Sequence, residues 1–107
     1  MDGSAKNSAV FLDRDGVIVV PELRDRRSFA PRRLKDFKLY PEAATSLRRL
    51  KDAGFLLVVV TNQPDVGDGL TPLSEVEAMH EIMTRELPLD GIKACFHRRD
   101  NDINEQK

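Results

Sequence analysis

With 107 residues and 12.1 kDa the chain has room for one small domain, and a chain this short buries about two-thirds of the surface its unfolded form exposes. Hydrophobic residues at 40% and charged residues at 33% make an ordinary globular mix, far from disordered or membrane-embedded compositions. Lys and Arg number 17 against 18 Asp and Glu, so a net charge of -1 excludes a global field toward nucleic acid or anionic lipid, and the single cysteine excludes an internal disulfide framework.

Met1 to Ala9 is polar and small, without the charged start and apolar core of a secretory signal. Ala9-Val10-Phe11-Leu12 then reads as a short buried strand that stops at the polar turn Asp13-Arg14-Asp15-Gly16. After the apolar Val17 to Val20, the segment Pro21 to Lys38 is rich in Arg and Lys and reads as an irregular, solvated excursion. Pro41 suits the first turn of a helix whose apolar face is Ala43, Leu47 and Leu50, and Gly54 suits its left-handed cap.

Phe55 to Val60 is unbroken and rich in β-branched residues, the pattern of a strand buried on both faces. It is far too short to cross a bilayer, so a cytoplasmic location without membrane contact is expected. The strand closes on Thr61-Asn62-Gln63-Pro64, and a glycine-containing loop, Asp65 to Gly69, follows. A second helix is expected with Thr71 as cap, Pro72 in the first turn, and Leu73, Val76, Met79 or His80, Met83 and Leu87 along one stripe. Gly91 to Phe96 reads as a third strand, and His97 to Lys107 as a polar tail.

Strand, helix, strand, helix, strand is the pattern of an α/β fold with a parallel sheet, in which ligands bind beyond the carboxyl ends of the strands. Two polar clusters stand at such ends. Asp13 and Asp15, one residue apart on a turn, suit a pair in which one carboxylate attacks phosphorus and the other moves a proton. A divalent cation between them would offset their repulsion and polarise phosphoryl oxygens. Thr61, Asn62 and Gln63 supply a hydroxyl and amides for phosphate oxygens.

Phe11-Leu12-Asp13-Arg14-Asp15-Gly16-Val17-Ile18 and Val58-Val59-Val60-Thr61-Asn62-Gln63 resemble motifs one and two of the haloacid-dehalogenase superfamily, nearest to its heptose bisphosphate and histidinol phosphatase subclass. The resemblance runs from about Val10 to His97 and includes Leu39 to Ala43 and Leu87 to Asp90. It implies the front part of a Rossmann-like three-layer sandwich. It also implies Asp13 as the nucleophile that forms an aspartyl-phosphate, Asp15 as acid and base, and Thr61, Asn62 and Gln63 as phosphate or substrate ligands. Magnesium would take a carboxylate oxygen of Asp13 and the main-chain carbonyl of Asp15. Cys95-Phe96-His97 matches the start of the zinc clip in this subclass, without its later pair of cysteines.

The lysine and the later acidic motif that the resemblance calls for are not identifiable, Asp100, Asp102 and Lys107 being poor matches. The chain is therefore expected to be an incomplete single domain over residues 1–107, with residues 98–107 a tail. An open edge beside the first strand would invite self-association. The activity implied is hydrolysis of a small phosphorylated molecule, of sugar phosphate or histidinol phosphate type, barely above background in this chain alone. Alternatives are a catalytically impaired remnant that binds phosphate or a partner, and a nucleic-acid 3'-end phosphatase, which the neutral charge balance disfavours. In the loop after motif two, Asp68 stands where several relatives carry arginine.

Overall fold

The computed structural model describes residues 8–99, in the order β1 (Ala9–Asp13), β2 (Glu22–Arg24), β3 (Arg27–Phe29), a 3-10 turn at Leu34–Asp36, α1 (Ala43–Asp52), β4 (Leu56–Asn62), α2 (Pro64–Gly67), α3 (Leu73–Glu86) and β5 (Gly91–Cys95). Strands β1, β4 and β5 form a parallel sheet in the order β1-β4-β5, so the connections through α1 and α3 are crossovers, as the element pattern predicts. Residues 100–107, with Asp100, Asp102 and Lys107, lie outside the described residues.

Helix α1 starts after Glu42, which leaves Pro41 outside the helix rather than in its first turn. Its end is a Schellman cap: Gly54 takes φ 100°, its N–H bonds the Lys51 carbonyl at 2.9 Å, and the Phe55 N–H bonds the Leu50 carbonyl at 3.2 Å. Helix α3 starts one residue later than its composition suggests. Pro72 is the capping residue, and Thr71 is buried with a hydroxyl that finds no partner among the described residues. Val76, Met79 and Met83 bury as the stripe requires, whereas Leu73 stays 41% exposed.

The sheet is not buried on both faces within the described residues. Leu57 and Val59 of β4 are fully covered by Ala43 and Leu47 of α1, by Met83 and Leu87, and by Ile18 and Val19 from the segment after β1. On the opposite face Phe11 is 64% exposed, Val58 and Val60 are half-buried, and Lys93 is exposed. The described residues thus build two layers of the expected three. Strand β1, expected to be buried, alternates exposed and half-buried because it lies at the sheet edge with one face uncovered.

Two segments read as irregular have structure. The basic excursion contains the β2–β3 hairpin, whose central residues Asp25 and Arg26 both take positive φ, 52° and 66°, as a two-residue turn of this hand demands. The start of the expected tail is docked, because the Phe96 and Arg98 backbone crosses Gly67 so closely that a Cβ there would collide with it. Arg99 secures the crossing by donating to the Asp68 carboxylate from its N–H and from its guanidinium.

Candidate active site

The turn after β1 is closed by one carbonyl. The Arg14 oxygen accepts the N–H groups of Ile18 and Val19, both at 2.9 Å, and Gly16 returns a 2.9 Å bond to the Val19 oxygen. Gly16 takes φ 88° with open space where a Cβ would stand, so the position needs glycine for its backbone angle and not for room.

Arg14, between the two aspartates, turns inward and is 1% exposed. Its Nε and Nη2 donate to Asp15 Oδ1 at 3.0 and 2.8 Å, while Nη1 lies 3.2 Å from His80 Nε2 and 3.9 Å from the Met79 sulfur, both on α3. Burial, and then the adjacent Arg14 charge, push the His80 imidazole down to about 4, the nearby Asp15 opposing them in part. The ring is therefore neutral at pH 7. Its Nε2 accepts from Arg14, which places the ring proton on Nδ1. Gln63, 2% exposed, donates from Nε2 to Asp15 Oδ2 at 2.8 Å and to Thr61 Oγ1 at 2.7 Å. Both oxygens of Asp15 are thus held from within the protein.

Asp13 differs in every respect. Its side chain is exposed, and no hydrogen bond reaches its carboxylate among the described residues. Asp13, Asp15, Thr61 and Asn62 line one open cleft of about 560 Å³, together with Lys93 and Cys95. The two strand-end clusters therefore meet. Gln63 does not line the cleft, because its amide hydrogens are committed to Asp15 and Thr61. Sequence reasoning passed over Arg14, His80 and Lys93. A cation between two aspartates was a visible signal for Arg14, whereas only strand register and helix placement bring the other two to the site.

The donors fit a magnesium ion in part. A free carboxylate at Asp13 and an Asp15 carbonyl that accepts no N–H among the described residues are hard oxygen ligands of the right kind. No group of three or more His, Cys, Asp or Glu residues suited to a metal occurs among the described residues. Cys95 and His97 both stand exposed, and no further ligand joins them among the described residues, so the zinc reading gains no support here.

The loop after the second cluster is neutralised internally. Burial raises the Asp65 carboxyl, but the Arg32 and Arg99 guanidiniums outweigh it and hold the group below the usual carboxylate value. Arg32 Nε donates to Asp65 Oδ2 at 3.0 Å, and Arg99 Nη2 stands 2.8 Å from Oδ1 as an ion pair without hydrogen-bond alignment. Arg32 is therefore not part of a freely solvated basic loop. Asp68 is the acceptor for Arg99 and presents no cation to a ligand.

No protein-family model matches the chain. It is 36% identical over 95 residues to a D-glycero-alpha-D-manno-heptose-1,7-bisphosphate 7-phosphatase of Mycobacterium tuberculosis, covering 84% of this chain and 48% of that protein. It is 33% identical over 102 residues to a D-glycero-beta-D-manno-heptose-1,7-bisphosphate 7-phosphatase of Escherichia coli, covering 91% and 50%. Among solved structures, the D,D-heptose 1,7-bisphosphate phosphatase of B. bronchiseptica, complexed with magnesium and phosphate, superposes with a TM-score of 0.71 at 27% identity, over 89% of this chain and 53% of that one. The chain spans about half the length of the curated relatives it matches. Similarity in sequence and in fold together show that the chain belongs to the haloacid-dehalogenase superfamily, in the subclass of the heptose bisphosphate phosphatases.

Proposed function

We propose that this chain carries the nucleophile and the acid/base of a phosphomonoester hydrolase acting on a small phosphorylated sugar of the heptose bisphosphate type in the cytoplasm. The observation that supports the reading most is the contrast between the two aspartates of one turn: Asp15 is oriented by Arg14 and Gln63, while Asp13 faces the cleft unengaged. An oxygen of Asp13 attacks the phosphorus in line, and the bond to the leaving alcohol breaks. Asp15 gives its proton to that alcohol, then takes one from the water that attacks the aspartyl-phosphate, releasing phosphate and restoring the Asp13 carboxylate. Thr61 and Asn62 hold phosphoryl oxygens, and Gln63 acts through Asp15 and Thr61 rather than on substrate. The Asp13 carboxylate and the Asp15 carbonyl would hold a magnesium ion, which would supply charge neutralisation and polarisation of the phosphoryl group.

A second reading, a remnant that binds phosphate without hydrolysing it, draws support from the absence of a third acidic ligand among the described residues. Phosphate release from heptose 1,7-bisphosphate and from 4-nitrophenyl phosphate, with and without magnesium, separates the two. The hydrolase reading expects magnesium-dependent release that is lost in Asp13→Asn. Release unchanged by Asp13→Asn refutes it, and phosphate binding with no release at all supports the remnant.

A further inference from the structure

His80 belongs to the array behind the cleft without lining the cleft itself. Its ring is carried by α3, 66 residues along the chain from Arg14, and it meets the aspartate turn through Arg14. The contact has one possible sense. A guanidinium carries donors only, so the 3.2 Å approach of Nη1 requires a lone pair on His80 Nε2. The other partner of Nη1, the Met79 sulfur at 3.9 Å, is a weak acceptor. Among the described residues, His80 is therefore the one strong acceptor for the guanidinium nitrogen that does not donate to Asp15.

What Arg14 does at Asp15 depends on that anchor. Nε and Nη2 both donate to Oδ1, and Gln63 donates once to Oδ2. Each carboxylate oxygen offers about two lone-pair sites, so Oδ1 is filled and one site stays open on Oδ2. The proton that Asp15 gives to the leaving alcohol is therefore carried on Oδ2. Asp15 lines the cleft with 24% of its side chain exposed, which gives such a proton a path to substrate. A guanidinium free to swing would leave Oδ1 bare, and the proton would lose its fixed position.

We propose that His80 is a positioning residue for the acid/base step: by accepting from Arg14 it fixes the guanidinium on Asp15 Oδ1 and so keeps the transferable proton on Oδ2. The assignment rests on the phosphatase reading of the cleft. The rival account is that His80 only satisfies a buried guanidinium, since Arg14 is 1% exposed and an unpaired N–H there costs stability.

Leaving-group dependence decides between them, because an alcohol needs a proton in order to leave and 4-nitrophenolate does not. The kcat/KM for magnesium-dependent release is measured on heptose 1,7-bisphosphate and on 4-nitrophenyl phosphate. The wild type, His80→Leu and His80→Gln are compared, each checked by thermal melting. A positioned acid contributes about a hundredfold to ten-thousandfold, so loosening it in His80→Leu is expected to cost about tenfold to a hundredfold on the sugar phosphate and under about threefold on the aryl ester. His80→Gln, whose amide oxygen takes the place of Nε2 as acceptor, should recover most of the loss. Equal losses on both substrates, or no loss on the sugar phosphate, overturn the assignment. The nitrogen-15 NMR signal of the Arg14 Nε–H reads the anchor without turnover. It should exchange slowly with water in the wild type and in His80→Gln and quickly in His80→Leu, and a signal unchanged in His80→Leu also overturns the assignment. A wild type that releases phosphate from neither substrate refutes the phosphatase reading and the acid/base role of His80 with it, whereas unequal NMR signals beside equal kinetic losses refute His80 alone.

Discussion

The two halves of one cleft are built on opposite principles. On the Asp15 side the carboxylate is committed: a buried guanidinium and a buried amide hold it by both oxygens, and a neutral imidazole from α3 accepts from that guanidinium in turn. On the Asp13 side the carboxylate and the Lys93 ammonium lie open, without partners among the described residues. On the reading proposed above, the group that moves protons must keep its geometry while the substrate changes, whereas the nucleophile must be free to meet a ligand. The difference also divides stability from function, since the committed side should be costly to disturb and the open side nearly free.

The largest effect that tests this contrast is expected from Arg14→Met, which keeps much of the volume but strips Asp15 of its charge partner and His80 of its donor. Removing one member of a buried pair costs about 3–5 kcal/mol, and the partial exposure of Asp15 lowers the expectation to about 2–4 kcal/mol. Urea unfolding measures it, and a loss under about 1 kcal/mol would mean the array does not stiffen the fold.

A smaller effect comes from pH. His80 has a folded value of about 4 against an ordinary 6.5, so between those values the unfolded chain binds more protons. The stabilisation is complete above 6.5 and drains away as the pH falls toward 4. With allowance for solvent screening of a partly exposed ring, its size is about 1–2 kcal/mol. Unfolding midpoints at a series of pH values should fall through this window in the wild type and stay flatter there in His80→Gln. A wild-type curve that is flat between 6.5 and 5 would contradict the neutral, accepting imidazole.

The smallest effect belongs to the open side. Asp13→Asn removes a carboxylate that nothing described contacts, so stability should move by no more than about 0.5 kcal/mol in either direction. A loss as large as that of Arg14→Met would show that Asp13 is a structural residue, and the contrast between the two sides would collapse.

Both strand-end clusters were legible in the sequence, because apolar runs that stop at polar turns are local patterns and a parallel sheet brings such ends together. The caps were legible where glycine dictates the geometry, as at Gly54, and misread where proline and threonine compete for one position, as at Thr71 and Pro72. The β2–β3 turn was hidden because Asp25-Arg26 lacks the glycine that usually announces positive φ. Lys93 and His80 were hidden for a different reason. Ladder register and the position of α3 are tertiary facts, and the single-residue register that puts Lys93 in the Asp13 row leaves no mark on the residue itself. The apolar run Phe55 to Val60 told of two covered faces, but within the described residues it has one.

The central claim, that Asp13 is the free nucleophile of a phosphoryl-transfer site, is tested most directly by trapping the intermediate. The 107-residue protein is mixed with magnesium and heptose 1,7-bisphosphate, quenched in acid within the first turnover, and digested for mass spectrometry. The account predicts one phosphoryl group on the peptide that contains Asp13, located at Asp13 and absent from Asp13→Asn. A phosphoryl group at any other residue, or phosphate release that proceeds undiminished in Asp13→Asn, would contradict it.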